Sequence, residues 1–318
     1  MNPLAEKNRK DMKKLTIAIW LMACCTLHAQ REVFLASSPA NANFETDRFY
    51  SQPDSTFYIF LAFGQSNMVG DAKPEDRDYE GVSPRFRMMP AIDQPAMSGN
   101  NRGSARKKYK WYKATPPLNR ASAGLSPCDY FGRTMVERLP ENIRVGIINV
   151  AVGGCRIEHF FKEYDPRELA RTGYGSWFQT CMAEYDSIQY IRLLDCALRA
   201  QHVGVIKGIL LHQGEANAGD NLWPLKVKKV YEDLLRDLGL KAEDVPLLAG
   251  EVVHAEQNGK SKEANKLVDV LPQTVPTAHV ISSRGCAANP ADTNHFNAAG
   301  YRELGKRYAE KMLELLGY

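Results

Sequence analysis

The sequence predicts an α/β protein built on a doubly wound, mainly parallel sheet of five strands. Three observations predict it. Five short apolar runs, rich in β-branched and aromatic residues, are each bounded by loop residues, as strands buried on both faces are. Stretches between them carry apolar residues at three- and four-residue spacing, as helices packed on a sheet do. The alternation of the two kinds calls for crossover connections rather than hairpins.

The runs are Phe57–Phe63, Val145–Val152, Val205–His212, Val245–Val253 and Ala278–Ser282. The helical stretches are Tyr130–Leu139, Asp186–Ala200 and Leu225–Leu238, followed by a terminal stripe of Tyr301, Leu304, Tyr308, Met312 and Leu315. Between Gly70 and Gly124 lie more than fifty residues rich in Gly, Pro, Asn and Arg with no strong periodicity. That is too long for an ordinary connection and reads as a binding-loop insertion. Residues 56–318 are expected to form one domain, preceded by a polar leader over 31–55.

Residues 1–30 read as an address. Lys13 and Lys14 precede an apolar run from Leu15 to Leu27, which ends at His28-Ala29-Gln30 with a small residue at the expected cut. Translation starting at Met12 would give a secretory signal, and a secreted or periplasmic protein. Leu21-Met22-Ala23-Cys24 also resembles a lipoprotein box, the alternative in which an acylated Cys24 tethers the chain. The run is too short to span a bilayer, which takes about 20 residues in a helix, so no stable membrane span is expected.

The 318 residues are 44% hydrophobic and 25% charged, ordinary globular usage. The formal net charge is +4, from 41 Lys and Arg against 37 Asp and Glu. The first thirty residues hold five of the bases and two of the acids, leaving the rest near neutral at +1. A near-neutral body argues against a nucleic-acid partner, which demands a sustained basic face. Beyond residue 30 remain Cys128, Cys155, Cys181, Cys196 and Cys286, an odd number with no CxxC. Neither zinc nor any other metal or cofactor is expected from that pattern.

In an open parallel sheet, ligands collect beyond the carboxyl ends of the strands, so the residues after each run come first. After the first run stands Gly64-Gln65-Ser66-Asn67-Met68, where a glycine before the serine permits a sharp turn that presents a hydroxyl. After the second, Gly153-Gly154 offers close backbone approach and N–H donors for a developing oxyanion. Cys155 beside them reads as a small packed residue rather than a nucleophile. After the third, His212-Gln213-Gly214-Glu215 combines an amide suited to oxyanion donation with a carboxylate that orients neighbours or, as the weaker alternative, acts as a base. His212 reads as a core histidine. Before the terminal helix, Asp292 and His295 stand three apart in a tight turn, where the carboxylate can hold the imidazole tautomer that leaves Nε2 free.

This ordered set resembles the SGNH/GDSL hydrolase superfamily and, within it, the branch of sialate O-acetylesterases and of acetyl xylan esterases of carbohydrate esterase family six. The resemblance runs from about Phe57 to the C-terminus. It implies a three-layer α/β/α sandwich, metal-free ester hydrolysis and acetylated oligo- or polysaccharides as substrates. By position, Ser66 would be the nucleophile, His295 the base and Asp292 its partner. The N–H groups of Ser66 and Gly154 and the Gln213 amide would form the oxyanion hole, with Asn67 and Glu215 as orienting neighbours. His-Gln-Gly-Glu replaces the superfamily's usual Gly-x-Asn-Asp block, and Cys155 stands where the branch commonly has threonine. The expected function is a secreted carbohydrate O-acetylesterase. The alternatives are a non-catalytic glycan-binding protein on the same fold and an esterase for non-sugar acyl groups. The run Arg106–Lys113, with Tyr109, Trp111 and Tyr112 among its bases, reads either as a sugar-stacking surface or as an exposed hairpin. Tyr174 and Trp177 are further stacking candidates.

Overall fold

The computed structural model describes residues 52–97 and 101–318. The signal segment, Cys24 and most of the polar leader lie outside them. Among the described residues no helix is long and apolar enough to cross a membrane.

The architecture is a seven-stranded mixed sheet with helices on both faces. Its strands are β1 (Phe57–Gly64), β2 (Phe86–Met89), β3 (Tyr112–Lys113), β4 (Arg144–Ala151), β5 (Val205–His212), β6 (Leu247–Gly250) and β7 (Ala278–Ile281). Their order is β3-β2-β4-β1-β5-β6-β7, parallel throughout except for β2 against β3. The expectation of five strands is therefore corrected to seven. Both additional strands come from the 70–124 insertion, which builds the edge beyond β4. Its ends are pinned together where Gly124 N–H donates to Gly70 at 2.7 Å and Leu125 N–H to Ala72 at 2.7 Å.

Alternation along β1 shows why the sheet is covered twice. Ile59, Leu61 and Phe63 enter one core; Phe60 and Ala62 enter the other. The first core is closed by α3 (Gln189–Ala200) and α4 (Trp223–Leu238), through residues such as Leu193, Ala197, Val227 and Tyr231. The second is closed by α2 (Pro127–Arg138) and α5 (Ala298–Leu316), through Phe131, Met135, Leu304 and Met312. Short polar side chains start two of these helices. Ser126 and Asp129 form a capping box with Pro127 in the first turn of α2, and Asn297 Oδ1 accepts the Gly300 N–H of α5 at 2.9 Å.

The chain begins the sheet at its centre, goes out to β2 and β3, comes back to β4 beside β1, and then crosses β1 to build β5, β6 and β7. The carboxyl end of β1 is therefore the place where the winding reverses, which is where open α/β sheets hold their ligands.

Candidate active site

The register sets Gly64, the last residue of β1, beside Ala151 of β4 and His212 of β5. Three loops thus leave the sheet side by side. A Cβ on Gly64 would lie 2.1 Å from the His212 carbonyl oxygen, and its φ of +152° suits glycine, so only glycine lets β1 turn there. The turn delivers Ser66 at the start of α1 (Ser66–Val69). From β4 the chain enters Gly153-Gly154, with Gly154 at φ +75°. Asp292 and His295 come from β9 (Asp292–Phe296), which pairs with β8 (Ala288–Asn289) in a small separate sheet and runs directly into α5.

These segments bring Ser66, His295 and Asp292 into a line. Ser66 Oγ lies 2.8 Å from His295 Nε2, and His295 Nδ1 lies 2.8 Å from Asp292 Oδ2. Lys260 Nζ donates to the other Asp292 oxygen at 2.9 Å, and the Asn294 N–H donates to that oxygen at 3.2 Å. The Lys260 contact is the main reason the Asp292 carboxyl is held down to about 2; the Asn294 N–H and His295 add to it against partial burial. A second carboxylate, Asp71, stands 3.8 Å from His295 Nδ1.

Asn67 ties this line together. Its amide donates to Glu215 Oε1 at 2.6 Å and to the Asn294 carbonyl at 2.8 Å, while its oxygen accepts the Tyr301 hydroxyl at 2.7 Å and the Phe296 N–H at 3.4 Å. One fully buried side chain next to Ser66 therefore grips both residues flanking His295. Burial pushes the Glu215 carboxyl above its ordinary range, and Oε2 has no hydrogen-bond partner.

Gln213 is fully buried between the first two turns. Its amide nitrogen points at Gln65 Oε1 (3.1 Å), Asn217 Oδ1 (2.8 Å) and the Cys155 carbonyl (3.4 Å), and its oxygen accepts the Trp223 indole N–H. Its two amide hydrogens thus already have acceptors, a network the sequence does not disclose. His212 faces away, buried against Phe296 and Tyr308, and desolvation drives its imidazole down to about 3. Cys155 is buried with its Sγ 3.2 Å from the Gly64 carbonyl, and desolvation pushes its thiol up to about 12, the opposite of an activated thiolate.

The Arg106–Lys113 run is not a sugar face at this site. Trp111 packs edge-on against Phe57, and its ring lies 2.8 Å from where a Gly146 Cβ would sit. Both contacts are near the starts of β1 and β4, the end of the sheet away from Ser66. Arg106 is buried, donating to the carbonyls of Pro117 and Thr115, and Arg199 covers the Tyr109 ring at 4.2 Å. The run is instead part of the scaffold, carrying β3 and packing on β1, β4 and α3. Tyr174 stacks on Phe178 at 4.2 Å, whereas Trp177 is 64% exposed and lies against Gly153. Lys260, Asp71, Gln65 and Tyr301 are site neighbours that sequence reading missed; none lies in a motif beside a catalytic candidate except Gln65.

Comparison with known proteins agrees with this architecture. A structure of an Arabidopsis thaliana protein is 17% identical, covering 81% of this chain and 98% of its own, with a TM-score of 0.55. NanS is 16% identical, covering 84% of this chain and 99% of its own, with a TM-score of 0.55. A carbohydrate acetylesterase from Xanthomonas citri is 18% identical with a TM-score of 0.54; the match covers 81% of this chain and 56% of that longer one. At these identities the likeness is one of fold. The family model described as carbohydrate esterase, sialic acid-specific acetylesterase matches residues 56–314. The chain belongs to this family of carbohydrate acetylesterases and is a carboxylic ester hydrolase.

Proposed function

We propose that this protein removes O-acetyl groups from glycans through an acyl-enzyme formed on Ser66. The observation that carries the reading is the continuous line from Ser66 Oγ through His295 to Asp292, with 2.8 Å at both links, at the sheet's reversal point. His295 Nε2 takes the Ser66 proton as Oγ bonds to the acetyl carbon, and the carbonyl electron pair moves onto oxygen. The Asp292 carboxylate stabilises the imidazolium so formed. Collapse of the tetrahedral adduct expels the sugar oxygen, which receives the proton from His295. Water then enters by the same steps in reverse and releases acetate.

The oxyanion is assigned to the N–H groups of Ser66 and Gly154 and to the Gln213 amide. The amide lies between Gln65, the residue before Ser66, and Cys155, the residue after Gly154. In this reading the developing oxyanion replaces the Gln65 acceptor, an exchange that apo geometry permits. The family's own description makes O-acetylated sialic acid the first substrate to test, with acetylated xylan beside it. Export directed by residues 13–30 belongs to the same proposal, and sequencing the mature N-terminus reads it.

Acetate release from a panel of acetylated glycans tests the function. Ser66→Ala and His295→Ala should each lower kcat by roughly 10⁴–10⁶-fold, and the double variant by little more, because the pair acts as a unit. Multiplying losses would overturn the partnership. Absence of turnover with intact glycan binding would leave a binding protein instead.

A further inference from the structure

Trp177 and Gly153 together describe a space beside the nucleophile. A methyl group placed on Gly153 would lie 3.1 Å from the Trp177 Cη2 and 3.7 Å from the Ser66 Cβ, in contact with both. A single carbon on Gly153 would therefore meet both the serine and the indole. The indole presents its edge to the gap, since Cη2 and Cζ3 are its nearest atoms. An edge makes a wall; a sugar platform would offer a face.

The wall is held in place. Trp177 lies on the helix Ser176–Ala183, whose Phe178 is buried, stacks on Tyr174 and leans on His159 at 5.4 Å. Gly153 directly precedes Gly154, the proposed oxyanion donor, so the gap adjoins the carbon that would carry the oxyanion.

We propose that Trp177 limits the acyl group to acetyl size by closing, with its indole edge, the space that Gly153 leaves open beside Ser66. The proposal rests on the acyl-enzyme reading above. It makes Trp177 a specificity-determining residue whose removal opens the acyl side of the crevice. Because the side chain is 64% exposed, its loss leaves the core packed.

The experiment compares kcat/KM for p-nitrophenyl acetate, butyrate and hexanoate, with KM for an acetylated glycan measured alongside. Trp177→Ala should raise the butyrate-to-acetate ratio of kcat/KM at least tenfold, the scale on which pockets read added methylenes. Trp177→Phe should fall between. Gly153→Ala should lower acetate hydrolysis about tenfold or more, and adding Trp177→Ala should restore part of it, a coupling that two unrelated defects would not show. An unchanged chain-length ratio in Trp177→Ala, with an unshifted thermal midpoint, overturns the proposal. So does a raised glycan KM without a change in that ratio, which would make the indole a sugar contact. Wild-type protein inert toward every ester would overturn the acyl-enzyme reading, and the proposal with it.

Discussion

His212 and His295 carry the same side chain into opposite circumstances. His295 meets solvent, a hydroxyl and two carboxylates; His212 is sealed in the core with Nε2 unpartnered. Desolvation holds His212 down to about 3, and His159 to about 4 for the same reason. A histidine in the unfolded chain takes its proton near pH 6.5. Below that pH the unfolded state binds more protons than the folded one, so stability falls as pH drops from about 6.5 toward the folded values. Each histidine contributes up to about 1.4 kcal/mol per pH unit in that window. Buried Asp129 and Glu215, whose carboxyls desolvation pushes up, work in the opposite direction, so the test is differential: in urea unfolding His212→Phe should lose less stability than the parent between pH 7 and 4.5. An unaltered slope would place the loss elsewhere. For Gln213, the assigned donor role predicts that Gln213→Ala lowers kcat by about 10²–10³ with little change in KM. Normal turnover in the folded variant would reduce it to a brace for Gln65 and Asn217. Ser66 stood out because a polar turn follows an apolar run, and Asp292 and His295 because they stand three apart just before the terminal helical stripe. The grip of Asn67 on Glu215 and on the Asn294 carbonyl was not, since it joins residues 148 and 227 positions apart.

Helix α5 meets α2 at Gly305, and α2 meets β2 at Gly132, which makes both contacts sensitive to one carbon. A Cβ on Gly305 would stand 2.3 Å from the Pro127 carbonyl oxygen, and one on Gly132 would enter the Phe86 ring at 1.9 Å. Gly305→Ala must push α5 away from α2, at a cost of about 1–3 kcal/mol. Because α5 begins immediately after β9, the same variant should lower kcat as well as the thermal midpoint. Full activity at a reduced midpoint would show that His295 is positioned independently of the helix. Strands β1, β4, β5 and β6 were readable because both their faces are buried, which leaves a continuous apolar run, and β7 at one edge is a short run of the same kind. Beyond β4 that signal vanishes: β2 has four residues and β3 two, set among Gly, Pro and Arg. The pairing of β2 with β4 and of β3 with β2 depends on neighbours that local periodicity does not contain.

At the scale of the molecule, the site draws on segments spread across nearly all of the described chain. Ser66 and His295 are 229 positions apart, joined only when β1 and the hairpin before α5 occupy the same end of the sheet. The hairpin is anchored from outside itself, by Asn67 on Asn294 and Phe296, by Lys260 on Asp292, and by Arg302 of α5 on Asp78 at 2.7 Å. The loop around Arg284 and Gly285, just before β8, is exposed and separates Ser66 from His295 in sequence. A break there should give two complementary pieces, one ending near Gly285 with Ser66, the other a short segment with His295 and α5. Neither piece alone should cleave an activated acetyl ester, while co-expression should restore hydrolysis through reassembly of α5 on α2. With the α5–α2 contact weakened at Gly305, so that the pieces no longer find each other unaided, such a pair would become a proximity reporter: ester cleavage would register whether two proteins fused to the pieces had met.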